Sequence, residues 1–311
     1  MKIKKESAMG GNDELNARIK SRMDALNKRI ADRMAALDAR LGGTVAVVKE
    51  FPDGSLESWL QPDFDDIKML FDYIRGSNIV RDNPVYSAAL DKVDLLFLTD
   101  PANPESNKVN AGAHRGGRKI TLYAGFARQS RIAGSALAVP NGVAVFKRLL
   151  DVVHDNPEWA YCITMDEAKR LFSWLGLRHD AIIADEAMRH EAIDRSSAVI
   201  LATLAHEAGH IALGHVNANV DYYKANLEVA RNQERQADSF MSSVIATVPF
   251  GEHMFEAELF NDYLNAVAEM KLGMNSDKGH THPLSIERYN NLLKDHPDLA
   301  EKYGFPQLES A

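Results

Sequence analysis

Apolar side chains recur at Leu15, Ile19, Met23, Leu26, Ile30, Met34, Leu37 and Leu41, spaced 4, 4, 3, 4, 4, 3 and 4 residues apart. The spacing predicts one amphipathic helix with an eleven-residue repeat, legible also in the letters RIKSRMDALNK and RIADRMAALDA. Such a period favours a slight right-handed supercoil over a heptad coil. Period alone does not choose the partner, so the stripe suits self-association of residues 15–41 or docking on its own domain. Gly42-Gly43 ends this helix. TVAVVKEF, a Pro-Asp-Gly turn and SLESWLQ then read as a hairpin of two short strands. A helix is expected over DFDDIKMLFDYIRG, and a strand over VDLLFLT at residues 93–99. KVNAGAH and RKITLYAG flank the turn Arg115-Gly116-Gly117-Arg118 as two further strands.

Beyond residue 142 the period turns helical. GVAVFKRLLDVVH, MDEAKRLFSWLGL, a long helix ending near His215, and helices over residues 228–245, 252–272 and 285–294 are expected. Nothing rich in Gly, Ser or Pro divides residues 44–311, so the chain reads as an N-terminal helix (residues 1–43) followed by one domain (residues 44–311). The fold class is α+β, mostly helical, with a small β-sheet.

Composition narrows the function classes. A net charge of -8 and scattered basic residues give no footprint for nucleic acid. Cys162 is the sole cysteine of the 311 residues, which excludes an intrachain disulfide and a thiolate metal cluster and suits a reducing compartment. The start, MKIKKESAMGGND, leads into charged helix and not into an apolar h-region. No apolar run reaches the roughly 20 residues that span a bilayer. A cytoplasmic location with no membrane partner is expected. Trp59, Trp159 and Trp174 read as core anchors, and His154, His179, His190, His253 and His280 as surface or capping residues.

The apolar run SSAVILATLAHEAGHIALGHV carries His206-Glu207-Ala208-Gly209-His210. Histidines four apart share a helix face, so two imidazoles can address one ion, while Glu207 beside that face can reach a water on it. Zinc suits such a set, since a catalytic zinc site takes three protein ligands and keeps one position open. Left unpaired in a core, these polar groups would cost several kcal/mol. A third ligand is expected downstream, and RNQERQAD supplies Glu234, with Asp238 one turn later to accept the free ring N–H of a ligand histidine. His215, five residues past His210, would lie about 140° around a continuing helix and is not counted as a ligand.

HEAGH, ERQAD, Thr281-His282-Pro283 with Arg288, and the upstream Asn110-Ala111 and KITLYAGFA together resemble the gluzincin peptidases of the HtpX and CAAX-prenyl-protease type. The small soluble phage-exclusion Lit-type peptidases are the most similar branch. The resemblance implies a zincin-like metallopeptidase domain with one Zn2+ on His206, His210 and Glu234, Glu207 as general base and Asp238 behind the ligands. It implies His282 near the metal, as a catalytic donor to the oxyanion or a cover of the open zinc position, and Arg288 at the substrate, with stitching of the last helix to the zinc helices the alternative for both. It implies that Asn110 and Ala111 line the edge where a peptide substrate adds as a strand. About 80 residues separate Gly125 from His206, more than the family's usual connection, so a helical insertion around residues 126–190 is expected, with residues 146–188 a gate or added scaffold. The implied activity is endopeptidase action on cytosolic proteins. The alternative is a zinc-stabilised interaction or regulatory protein that recruits partners through residues 15–41. Glu207 discriminates, because a purely structural site has no use for an unliganded carboxylate beside the metal.

Overall fold

Helix formation starts where a capping side chain precedes apolar spacing. In the computed structural model, which describes residues 55–114, 116–217, 227–247, 253–271 and 285–309, Ser55 accepts from the Ser58 N–H at 3.2 Å and opens helix α1 (Leu56–Leu60). SLESWLQ, expected as a strand, is therefore helical. Its neighbours Trp59 and Leu60 are both buried, whereas consecutive strand side chains point to opposite faces. Helices α2 (Phe64–Gly76), α3 (Asn78–Arg81) and α4 (Pro84–Leu90) follow. α2 is the helix expected from DFDDIKMLFDYIRG, and it buries Ile67, Leu70, Phe71 and Ile74 along one face. The helix expected over residues 15–41 and the strand expected over TVAVVKEF lie outside the described residues.

All three strands expected beyond residue 90 form. β1 (Asp94–Leu98), β2 (Ala111–Ala113) and β3 (Lys119–Tyr123) make one sheet in the order β1-β3-β2, with β1 parallel and β2 antiparallel to β3. β2 is thus an edge among the described residues. Tyr123 N–H donates to the Asn110 carbonyl and His114 N–H to the Lys119 carbonyl. Ala111 and Ala113, in the alternate positions, turn their own N–H and C=O groups away from the sheet.

The remainder is helical: α5 (Ala124–Ala138), α6 (Gly142–Asp155), α7 (Met165–Trp174), α8 (His179–Ala184), α9 (Glu186–Ala212), α10 (Leu227–Ile245), α11 (Met254–Lys271), α12 (Ser285–Asp295) and α13 (Pro297–Tyr303). α9 is the hub, packed against α5, α10, α11, α2, α4 and β2. Its residues 198–202, with Leu204, Ala205, Ala208, Ile211 and Ala212, are buried, as an all-round apolar helix requires. Arg128 ties α5 to the chain leading into β2, donating to Asn107 Oδ1 at 2.8 Å and to the Ile163 carbonyl at 3.1 Å. Of the three tryptophans expected as anchors, Trp59 is buried, but Trp174 is 66% exposed. It lies about 200° around α7 from the buried Phe172, on the solvent side. No helix among the described residues is long and apolar enough to cross a membrane.

Candidate metal centre

His206 and His210, in the last two turns of α9, bring their Nε2 atoms within 3.1 Å of each other. From α10, Glu234 sets Oε2 3.3 Å from His206 Nε2 and Oε1 3.3 Å from His210 Nε2. The carboxylate is 5% exposed. These three side chains form a group that can hold a metal ion. Three expected ligands from two helices thus converge, and the reason lies partly in the residue between the histidines. A Cβ built at Gly209 would stand 3.2 Å from Ala237 Cα and 3.2 Å from Phe240 Cβ. The missing side chain lets α10 lie close enough for Glu234 to reach both imidazoles.

The ligand histidines are braced from behind. His206 Nδ1 lies 2.8 Å from Asp238 Oδ1, and Arg288 donates to the same oxygen at 2.9 Å. Arg288 also reaches Asp262 on α11 at 3.3 Å, so one guanidinium joins α12 to α10 and α11. Burial alone would lower the pKa of His206, but its hydrogen bonds to Asp238 and Glu234 outweigh that and lift it to about 10. The negative field that raises His206 also favours a cation at the centre. Burial pushes Asp238 up, yet the His206 bond and the Arg288 charge bring it below the usual carboxylate range.

The centre opens into a cleft of about 570 Å³, walled by residues 109–113 of the sheet edge and by side chains of α9, α10, α11 and α12. Glu207 stands outside the ligand triangle. Its Oε2 accepts the Ala113 N–H of the edge strand at 2.6 Å. Asn110 Oδ1 accepts the Ala111 N–H at 2.8 Å, so Asn110 and Ala111 form the cleft wall. His282 lies outside the described residues. Residues 146–188 supply nothing to the lining and bury Phe146, Leu149, Leu150, Leu171, Phe172 and Ile182 in the common core. Of gate and scaffold, that is the packing of a scaffold.

Three residues at the centre, His215, Glu258 and Asp262, were not anticipated. His215 Nδ1 lies 3.1 Å from His210 Nδ1, because α9 stops at Ala212 and the 140° rotation of a continuing helix does not apply. Leu213-Gly214 was the available signal, a glycine just past a helix end. Glu258 and Asp262, one turn apart on α11, line the cleft. Burial, then Asp262, pushes Glu258 up to about 7. Burial also lifts Asp262 to about 6, against the opposing pull of Arg288. No family model, curated protein or solved structure matches the chain.

Proposed function

We propose that the chain is a metal-dependent hydrolase. Within that class it is read as a zinc endopeptidase with a zincin-like domain of the gluzincin kind, acting on protein or peptide substrates in the cytoplasm. One observation carries this: a ligand triangle with an unliganded carboxylate beside it and a strand edge across the cleft. Tetrahedral zinc at about 2.0–2.1 Å from its donors spaces them about 3.3–3.4 Å apart. The two Nε2 atoms are 3.1 Å apart and each lies 3.3 Å from a different oxygen of Glu234, and imidazole nitrogen with carboxylate oxygen is a set that zinc accepts.

A zinc ion held by these three side chains supplies Lewis acidity, lowering the pKa of a water and polarising a carbonyl. Glu207 takes the proton of the attacking water and returns it to the leaving amine. Asp238 fixes the His206 ring with its Nδ1–H turned outward and Nε2 facing the centre. An extended peptide adds as a strand beside β2, donating to the outward carbonyls of Ala111 and Ala113 and displacing Asn110 Oδ1 and Glu207 Oε2 from their N–H groups. Glu207→Gln is expected to retain zinc and to lose hydrolysis by about two orders of magnitude or more, as removal of a general base does. A cell lysate treated with wild type and with this variant, followed by mass spectrometry of new protein N-termini, checks it. New termini from wild type alone support the peptidase. None from either, with zinc bound, would turn the reading toward the interaction protein.

A further inference from the structure

We propose that His215 is a positioning residue that holds His210 in the tautomer whose Nε2 lone pair faces the metal centre. The inference rests on the metal site of the preceding reading but not on peptidase activity. His210 Nδ1 and His215 Nδ1 are 3.1 Å apart, and His215 Nε2 lies 3.0 Å from Gln236 Oε1. Two neutral rings meeting nitrogen to nitrogen share a single hydrogen between them, so one ring donates and the other accepts. The Gln236 carbonyl oxygen only accepts, which puts the His215 hydrogen on Nε2 and leaves a lone pair on its Nδ1. His210 then carries its hydrogen on Nδ1. Its Nε2, 3.1 Å from His206 Nε2 and 3.3 Å from Glu234 Oε1, is left free to ligate.

The local fold is built for this contact. In an unbroken helix residue 215 would lie about 140° away from residue 210. Instead Gly214 adopts φ 76°, a left-handed conformation costly for other residues. Its N–H closes on the Ile211 carbonyl at 3.1 Å, and the turn His215–Asn217 brings the imidazole back beside His210. His215 is 7% exposed, so little water reaches the shared nitrogens to compete. The two ligand histidines are thereby braced differently, His206 by the carboxylate of Asp238 and His210 by a neutral ring.

The test combines long-range proton–nitrogen NMR of imidazole-labelled, metal-free protein with Zn2+ titration against a chelating dye. Wild type is expected to show His210 protonated on Nδ1 and His215 on Nε2. His215→Phe keeps a ring but removes the acceptor; it should release His210 toward the Nε2–H form and weaken Zn2+ by about tenfold or more, the usual effect of losing a ligand's hydrogen-bond partner. His215→Asn restores an acceptor near the Nδ1 position and should recover most of that loss. His210 protonated on Nε2 in wild type, or His215→Phe binding Zn2+ as tightly as wild type, overturns the proposal. If His215→Phe does not fold, the wild-type tautomers and the His215→Asn affinity still decide it. Correct tautomers and Zn2+ binding without any hydrolysis would sink the peptidase reading and leave this one standing.

Discussion

Burial penalises the charge of Glu258 and Asp262 and each feels another carboxylate nearby, so their pKa values rise to about 7 and about 6. A carboxyl whose pKa is raised on folding binds more protons folded than unfolded, so stability falls as pH rises between the two values. For Glu258 that window runs from 4.5 to about 7. Glu258→Gln should therefore stabilise the chelator-treated protein at pH 8, by up to about 2 kcal/mol, and change little near pH 4.5. Urea denaturation at the two pH values measures this, and an equal gain at both would count against a charge effect. His206, His210, Glu234 and Asp238 were legible in the sequence because each pair is four residues apart on one helix, where local geometry fixes a shared face. Glu258 and Asp262 have the same spacing, yet an acidic pair with no histidine beside it reads like any solvated face. Only the packing of α11 over α9 turns it into the cleft.

At the level of elements, the ligand triangle depends on how closely two helices approach. Gly209→Val would press a branched side chain onto Ala237 and Phe240, already 3.2 Å from a bare Cβ. α10 must then shift, and overpacking of this kind costs about 1–3 kcal/mol. The expected result is a loss of Zn2+ affinity larger than the loss of thermal stability, read by dye competition beside a melting curve. Arg288 bears on three helices at once. Arg288→Leu strands Asp238 and Asp262 without their cation, at an expected cost of about 3–5 kcal/mol, measured as a lower urea midpoint. An unchanged midpoint with a raised KM would instead return Arg288 to the substrate. The strands after residue 90 and the helices after residue 142 were readable from alternation and from the 3.6 period. SLESWLQ was not, because seven residues are too few to separate the two periods and a Ser55 cap decides the outcome. The tertiary partners of Arg288, 26 and 50 residues away in the sequence, leave no local trace.

For the whole molecule, both imidazoles of the candidate centre sit on the helix that organises the core, so a metal bound there would link its binding to global stability. A ligand that binds only the folded state at about 100 times its Kd adds about 2.7 kcal/mol. For a domain of this size that is a shift of about 5–10 °C in Tm. Chelation should lower the calorimetric Tm by this amount, and restoring Zn2+ should recover it. No shift would mean that the ion does not bind the fold at all. The wall formed by residues 109–113 carries a consequence for which substrates would turn over. Ala113 has one backbone hydrogen to give, and Glu207 takes it at 2.6 Å. A peptide that extends far enough along the edge competes for that hydrogen and releases the carboxylate to accept a proton elsewhere. One that stops short leaves Oε2 engaged and only Oε1 to act as base. Under the peptidase reading the enzyme is a ruler: it registers chain length by backbone occupancy as it cuts, and di- and tripeptides that reach the centre would turn over more slowly than longer chains.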